Sequence, residues 1–189
     1  MGVAEQMTYE KAGWFHTKKR PGDRTFEQQL TGLEHLIANV RGKSVLDIGC
    51  AEGLISHHLV DMGAVAAHGV EIVPGHVEVA DKLRKERACH FEVGDANEWV
   101  PKREYDVVIM LAVLHKLRDP AAACMRYAQV AREMVVIRLP PYGPVIIDER
   151  SNSQPFDIAE VMKAAGFELG LSGPLGPFDE WVGYYRRIA

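Results

Sequence analysis

The sequence predicts a three-layer α/β/α sandwich: a mostly parallel seven-stranded sheet with helices on both faces, finished by a C-terminal antiparallel hairpin. Three observations predict it. Val45, Leu46 and Ile48 belong to a short apolar run suited to a strand covered on both sides, and Gly49 and Gly53 turn the chain into a helical stripe that begins at Leu54. A second such run spans residues 105–114. Short strand-like runs alternate with three- and four-residue apolar periodicity, which builds parallel sheets, until residues 167–171 and 181–188 face each other across a Gly/Pro-rich turn.

At 189 residues, with 47% apolar and 25% charged residues, the chain has the size and composition of one globular domain. Residues 1–24 read as an N-terminal arm or lid, and residues 25–189 as the domain. No apolar run reaches transmembrane length and the N-terminus lacks a signal-peptide core, so a cytoplasmic protein without a membrane partner is expected. Cys50, Cys89 and Cys124 are widely spaced and form no metal-ligand pair. The net charge of −4 opposes broad attraction to nucleic acid.

From Thr25 one helix is expected, with Phe26, Leu30, Leu33, Ile37 and Val40 on its apolar face, Thr25 and Gln28 as a capping box, and Gly42 at its end. After the glycine turn, Leu54, Ile55, Leu59 and Met62 stripe the next helix up to Gly63. His57 and His58 point about 100° apart on it, so they cannot chelate one metal together and read as surface or boundary residues. No metal site is expected. A second strand over residues 65–70 ends at Glu71, 22 residues after Gly49, where a carboxylate can accept from both hydroxyls of a ribose. Ile72 follows as an apolar surface for a base. Val77, Ala80 and Leu83 mark a helix, and residues 90–93 a third strand leading to Gly94, Asp95 and Ala96. The fourth strand precedes His115; Asp119 and Pro120 fit the N-cap and first position of the helix after it. Residues 134–138 form the fifth strand and run into a proline-rich loop holding Tyr142. Ile158, Val161, Met162 and Ala165 give a last helix, ended by Gly166.

The turn Asp47-Ile48-Gly49-Cys50-Ala51-Glu52-Gly53 resembles the first motif of the class I S-adenosylmethionine-dependent methyltransferases, with Ala51 in place of the middle glycine. A nicotinamide-binding fingerprint fits worse: Gly-x-Gly-x-x-Gly counted from Gly49 meets Ala51 and Leu54. Residues 94–96 resemble the family's Gly-Asp-Ala element. Residues 105–120, with Leu114, His115, Leu117, Asp119 and Pro120, resemble its fourth-strand segment closely.

The resemblance implies that S-adenosylmethionine binds at Asp47, Gly49, Cys50, Ala51, Gly53, Glu71, Ile72, Asp95, Ala96 and Leu111, and leaves as S-adenosylhomocysteine. His115 is the expected base, its ordinary pKa near ~6.5 suiting proton transfer, although a histidine here also orders the loop in enzymes without a base. Arg138 and Tyr142 are expected to contact substrate from the edge of the fifth strand.

Residues 14–24, with Trp14, Phe15, His16, Thr17, Lys18, Lys19 and Arg20, resemble the segment before the catalytic domain in the wobble-uridine carboxymethyl-transferring group, which makes Trp14 and His16 further substrate contacts. The expected reaction is in-line methyl transfer to a small-molecule or metabolite nucleophile. Two alternatives stand beside it: modification of RNA (tRNA), for which Lys18, Lys19, Arg20 and Arg24 would hold phosphate, and a non-catalytic cofactor-binding regulatory module.

Overall fold

The computed structural model describes residues 24–141, 145–146 and 156–188 of the protein. Trp14, His16 and Tyr142 lie outside them, as do the basic residues 18–20.

The sheet follows the expected plan. Strands β1 (Ser44–Ile48), β2 (Ala66–Glu71), β3 (Cys89–Val93), β4 (Tyr105–Leu111) and β5 (Ala131–Leu139) run parallel. After a two-stranded ribbon of β6 (Val145–Ile146) and β7 (Phe156–Asp157), β8 (Phe167–Gly173) and β9 (Trp181–Arg187) add the antiparallel pair. The seven-stranded order is β3-β2-β1-β4-β5-β9-β8. The chain leaves β1 toward β2 and β3, then returns to the other side of β1 for β4 and β5. That reversal opens a crevice at the carboxyl ends of β1 and β4, where ligands bind in sheets of this kind.

Alternation along the strands divides the core into two layers. Val45, Val107, Ile109 and Val136 face α2 (Glu34–Asn39), α3 (Leu54–Asp61) and α4 (Pro74–Arg84), meeting Leu36, Leu59, Val77 and Ala80. Leu46, Ile48, Val108, Met110, Val135 and Ile137 face α5 (Pro120–Gln129) and α6 (Ile158–Ala164), meeting Cys124, Tyr127, Ile158 and Met162. Asp119 caps α5 with Pro120 at its start, as expected. Among the described residues, no helix is long and apolar enough to cross a membrane.

Two local expectations are corrected. The single helix from Thr25 is two helices, α1 (Phe26–Leu30) and α2, although its Thr25–Gln28 capping box is present. The break lies at Thr31, which is extended, and Gly32, whose φ is +79°. A Cβ at Gly32 would come within 2.5 Å of the Leu175 carbonyl oxygen, and Tyr184 donates a 2.5 Å hydrogen bond to the Gly32 carbonyl. Tertiary contact with the C-terminal strands therefore overrides the helical periodicity. The second correction is His57, which is fully buried and meets the Phe91 ring edge to face at 5.0 Å. Burial, reinforced by Arg87, lowers its pKa to about 4, so it is a neutral core residue at physiological pH.

Candidate active site

A cavity of about 280 Å³ opens at the carboxyl ends of β1, β2, β3 and β4. Gly49 and Ala51 line it from the turn after β1, Glu71, Ile72 and Val73 from the end of β2, and Asp95, Ala96 and Asn97 from the end of β3. Leu111, Ala112, Val113, Lys116 and Leu117 close it from β4 and the 3-10 turn that follows, Leu114–Lys116.

Each wall has a local cause. The turn after β1 is pinned to β2, because the N–H groups of Gly49 and Cys50 both donate to the Val70 carbonyl, at 2.8 and 3.1 Å. Gly49 (φ +76°) and Ala51 (φ +48°) occupy the left-handed region, and that geometry presents backbone, not side chain, to the cavity. The Glu71 carboxylate accepts from Ala51 N–H at 3.1 Å and from Val73 N–H at 2.9 Å. It thus fastens the turn to the end of β2 while retaining lone pairs for a ligand. His76, on the first turns of α4, brings Nδ1 to 3.7 Å from Glu71 Oε1. Asp95 Oδ1 accepts from the backbone and side-chain nitrogens of Asn97, at 2.8 and 2.7 Å, and the Asn97 bonds lower its pKa. It is an anion at neutral pH with its second oxygen uncommitted to them.

The turn after β4 contains Lys116 on the cavity wall; His115 lines neither this cavity nor the smaller one below it. The Lys116 ammonium interacts with Glu71, Arg24 and Glu180, and burial lowers its pKa. The motif reading singled out the histidine because imidazole chemistry is recognisable in sequence. Which residue of a three-residue turn faces inward depends on the turn's phase, which sequence alone does not set. His76, Asn97 and Val113 also line the cavity, and no motif marks them in the sequence.

Asp47 and Cys50 lie behind the turn, lining a small space shared with Gln29, Glu52, Leu54 and Ile55 as well as with Gly49, Ala51 and Leu111. Asp47 is buried and accepts a 2.7 Å hydrogen bond from Ser56 Oγ. Burial pushes its pKa up to about 7, opposed by the Ser56 bond and assisted by the nearby Glu71 charge. A carboxyl whose folded pKa is raised binds more protons folded than unfolded between about pH 4 and 7, so its contribution to stability falls as pH rises through that window. Comparing the protein with Asp47→Asn by urea unfolding between pH 4 and 8 should show the wild type losing stability relative to the variant as pH rises. A difference independent of pH would contradict the raised pKa.

Gly53 lines neither space. Its φ of +73° starts α3, and a Cβ there would overlap the Phe91 ring, so its role in the fold is packing.

Arg138 is corrected more sharply. It shares a face of β5 with Met134 and Val136, beneath α1 and α2, and is 0% exposed. Its Nη2 donates to the carbonyls of Gln29 and Thr31 at 3.0 and 2.8 Å, and its Nε lies 3.9 Å from Glu180 Oε2. Burial lowers its pKa to about 10, still fully charged at neutral pH. Arg138 thus joins the break between α1 and α2 to the sheet and offers no surface to a substrate. Arg24, grouped with the basic arm by sequence, holds Glu180 bidentately at 2.7 and 2.9 Å and lies over the Phe178 ring. Its charge is committed within the domain.

Comparison with known proteins shows the family and the fold. Residues 23–140 match the methyltransferase-domain family. The chain is 36% identical over 83 residues to a ubiquinone biosynthesis O-methyltransferase of Azorhizobium caulinodans, covering 42% of this chain and 32% of that one. It is 32% identical over 122 residues to the aklanonic acid methyltransferase of Streptomyces sp. strain C5, covering 60% and 54%. The chain therefore spans between about a third and about half the length of these relatives. Among solved structures, the magnesium protoporphyrin IX methyltransferase of Synechocystis with bound S-adenosylhomocysteine superposes with a TM-score of 0.66 at 19% identity, covering 86% of this chain and 84% of that one. With the family match extending over more than half of the sequence and the sheet order agreeing, the chain belongs to the methyltransferase-domain family and has the fold of class I S-adenosylmethionine-dependent methyltransferases.

Proposed function

We propose that the protein binds S-adenosylmethionine across the carboxyl ends of β1, β2 and β3 and transfers its methyl group to a nucleophile on a small molecule. The observation that carries this reading is the convergence of two carboxylates, Glu71 and Asp95, with the left-handed Gly49–Ala51 backbone around one cavity. The residues fit the cofactor. Glu71 has acceptor capacity for two ribose hydroxyls, and Asp95 can accept from an adenine amine. Ile72, 57% exposed at the rim, supplies an apolar wall for the base. The names of the curated relatives, both of which modify small molecules, support the acceptor class.

When bound, S-adenosylmethionine would supply a methyl carbon activated by its sulfonium, open to in-line attack by a nucleophile, with S-adenosylhomocysteine as the leaving group. The protein's part is positioning and exclusion of water, effects worth several kcal/mol (~7 or more for well-oriented pairs) without a covalent intermediate. Leu111, Ala112 and Val113 give the cavity an apolar side that keeps water from the reacting atoms. Lys116, beside them, suits an acceptor that carries or develops negative charge. His115 stands outside the cavity wall, so His115→Ala should leave cofactor affinity unchanged and lower kcat by less than about tenfold, well below the roughly hundredfold or more that a general base supplies. A loss of about a hundredfold or more in kcat alone would instead assign it as the base.

Calorimetric titration with S-adenosylmethionine, S-adenosylhomocysteine and NAD tests the cofactor. Binding of the first two without NAD is expected; failure of both with folded protein would overturn the reading. Product analysis with small-molecule hydroxyl and carboxylic acid compounds beside RNA then tests the acceptor. Methylation confined to RNA would overturn the small-molecule assignment.

A further inference from the structure

At the β2–β3 edge of the sheet, His68 and His90 are partners in register, so both imidazoles leave the same face, and Glu92 leaves that face two residues further along β3. None of the three lines the cofactor cavity. Their ligating atoms all lie within 4.8 Å of one another. His68 Nε2 and Glu92 Oε1 are 3.2 Å apart, and the two imidazole centroids 4.9 Å apart. Ligand atoms around a tetrahedral zinc ion, bonded at about 2.0–2.1 Å, stand about 3.3 Å from each other, so the set needs only small side-chain adjustments to close on one ion.

The surroundings hold two of the three ligands in place. Tyr105 Oη lies 2.5 Å from His68 Nδ1, a partner that can accept Nδ1–H and leave Nε2 as the metal-binding nitrogen. Trp99 Nε1–H donates to Glu92 Oε1 at 2.7 Å, orienting the carboxylate, and that oxygen, 3.2 Å from His68 Nε2, keeps a second lone pair for coordination. His68 is only 9% exposed, whereas His90 is exposed, so an ion has a route in from solvent and a fourth position for water. A plain chain of hydrogen bonds, Tyr105–His68–Glu92–Trp99, would account for three of these contacts but gives no role to His90.

We propose that His68, His90 and Glu92 form a binding site for one divalent transition-metal ion of the zinc class. Two imidazoles and one carboxylate favour such an ion over magnesium or calcium, which take oxygen ligands. Arg103, whose guanidinium lies 4.9 Å from the Tyr105 ring centroid, disfavours additional positive charge near His68, so affinity rests on nitrogen coordination more than on net charge. The bound ion would tie β2 to β3, the strands that end at Glu71 and just before Asp95.

The test uses the full chain, stripped with a chelator and titrated with zinc alone in competition with a chromophoric chelator, then with cobalt(II) alone as a spectroscopic probe. One ion per chain and the visible absorption of four-coordinate cobalt are expected. His90→Ala and Glu92→Gln should each weaken zinc binding at least tenfold; His90 is exposed, so the metal-free His90→Ala protein should melt as the wild type does. Absence of stoichiometric binding, or affinity unchanged in both variants, would overturn the site and leave the hydrogen-bond chain as its whole explanation.

Discussion

Glu71→Ala is expected to weaken S-adenosylmethionine binding by about two to four orders of magnitude. Two ribose hydroxyls bonded to one carboxylate contribute about 1.5–3 kcal/mol each, and every 1.4 kcal/mol is about tenfold in affinity. The same substitution removes the acceptor for the N–H groups of Ala51 and Val73, loosening the turn that forms the cavity floor. Glu71→Gln, which keeps an acceptor oxygen but loses the charge, should fall between wild type and Glu71→Ala. Calorimetry reads the affinity, and thermal unfolding without cofactor checks that the domain remains folded. A change below about threefold in folded protein would mean that the adenosine lies elsewhere. Asp95→Ala, removing one acceptor, should lose about tenfold.

Gly53→Ala is expected to destabilise the fold by about 3 kcal/mol. An L residue in the left-handed region costs about 1–2 kcal/mol, and overpacking a filled core adds about 1–3. At Gly53, φ is +73°, and an added Cβ would sit 2.6 Å from Phe91 Cζ and 3.0 Å from the Ala80 methyl, both buried. Phe91 packs on His57 of α3, and Ala80 belongs to α4. Gly75 in α4 is the control: a Cβ there meets nothing within 4 Å and the backbone is ordinary, so Gly75→Ala should be neutral or stabilise by about 0.5–1 kcal/mol. Urea unfolding of both variants decides it; equal midpoints would refute the packing role assigned to Gly53.

Whatever depended on neighbours in sequence was determined by the sequence itself. The strand runs, their succession along the chain and the antiparallel end follow from apolar runs, periodicity and turn residues, all local signals, whereas the spatial order of the strands and the reversal after β3 belong to the tertiary structure. The cavity residues Gly49, Ala51, Glu71, Ile72, Asp95, Ala96 and Leu111 were legible through the resemblance of the motifs that hold them, and they meet because each stands at or just beyond the carboxyl end of a strand, which a parallel sheet gathers at one edge.

Only the tertiary structure decided which side chains face inward where segments far apart in sequence meet. The helix expected after Thr25 breaks at Gly32 because the Leu175 backbone presses on it, and Arg138 is enclosed because β5 turns that face toward α1 and α2. His57 is buried by Phe91, brought over it from β3, and Lys116 displaces His115 from the cavity wall through the phase of one short turn. His68 and His90 become neighbours solely through the β2–β3 register. Periodicity gives the face a residue occupies on its own element; what covers that face is set by packing between elements, and its free energy is written in no single stretch of the chain.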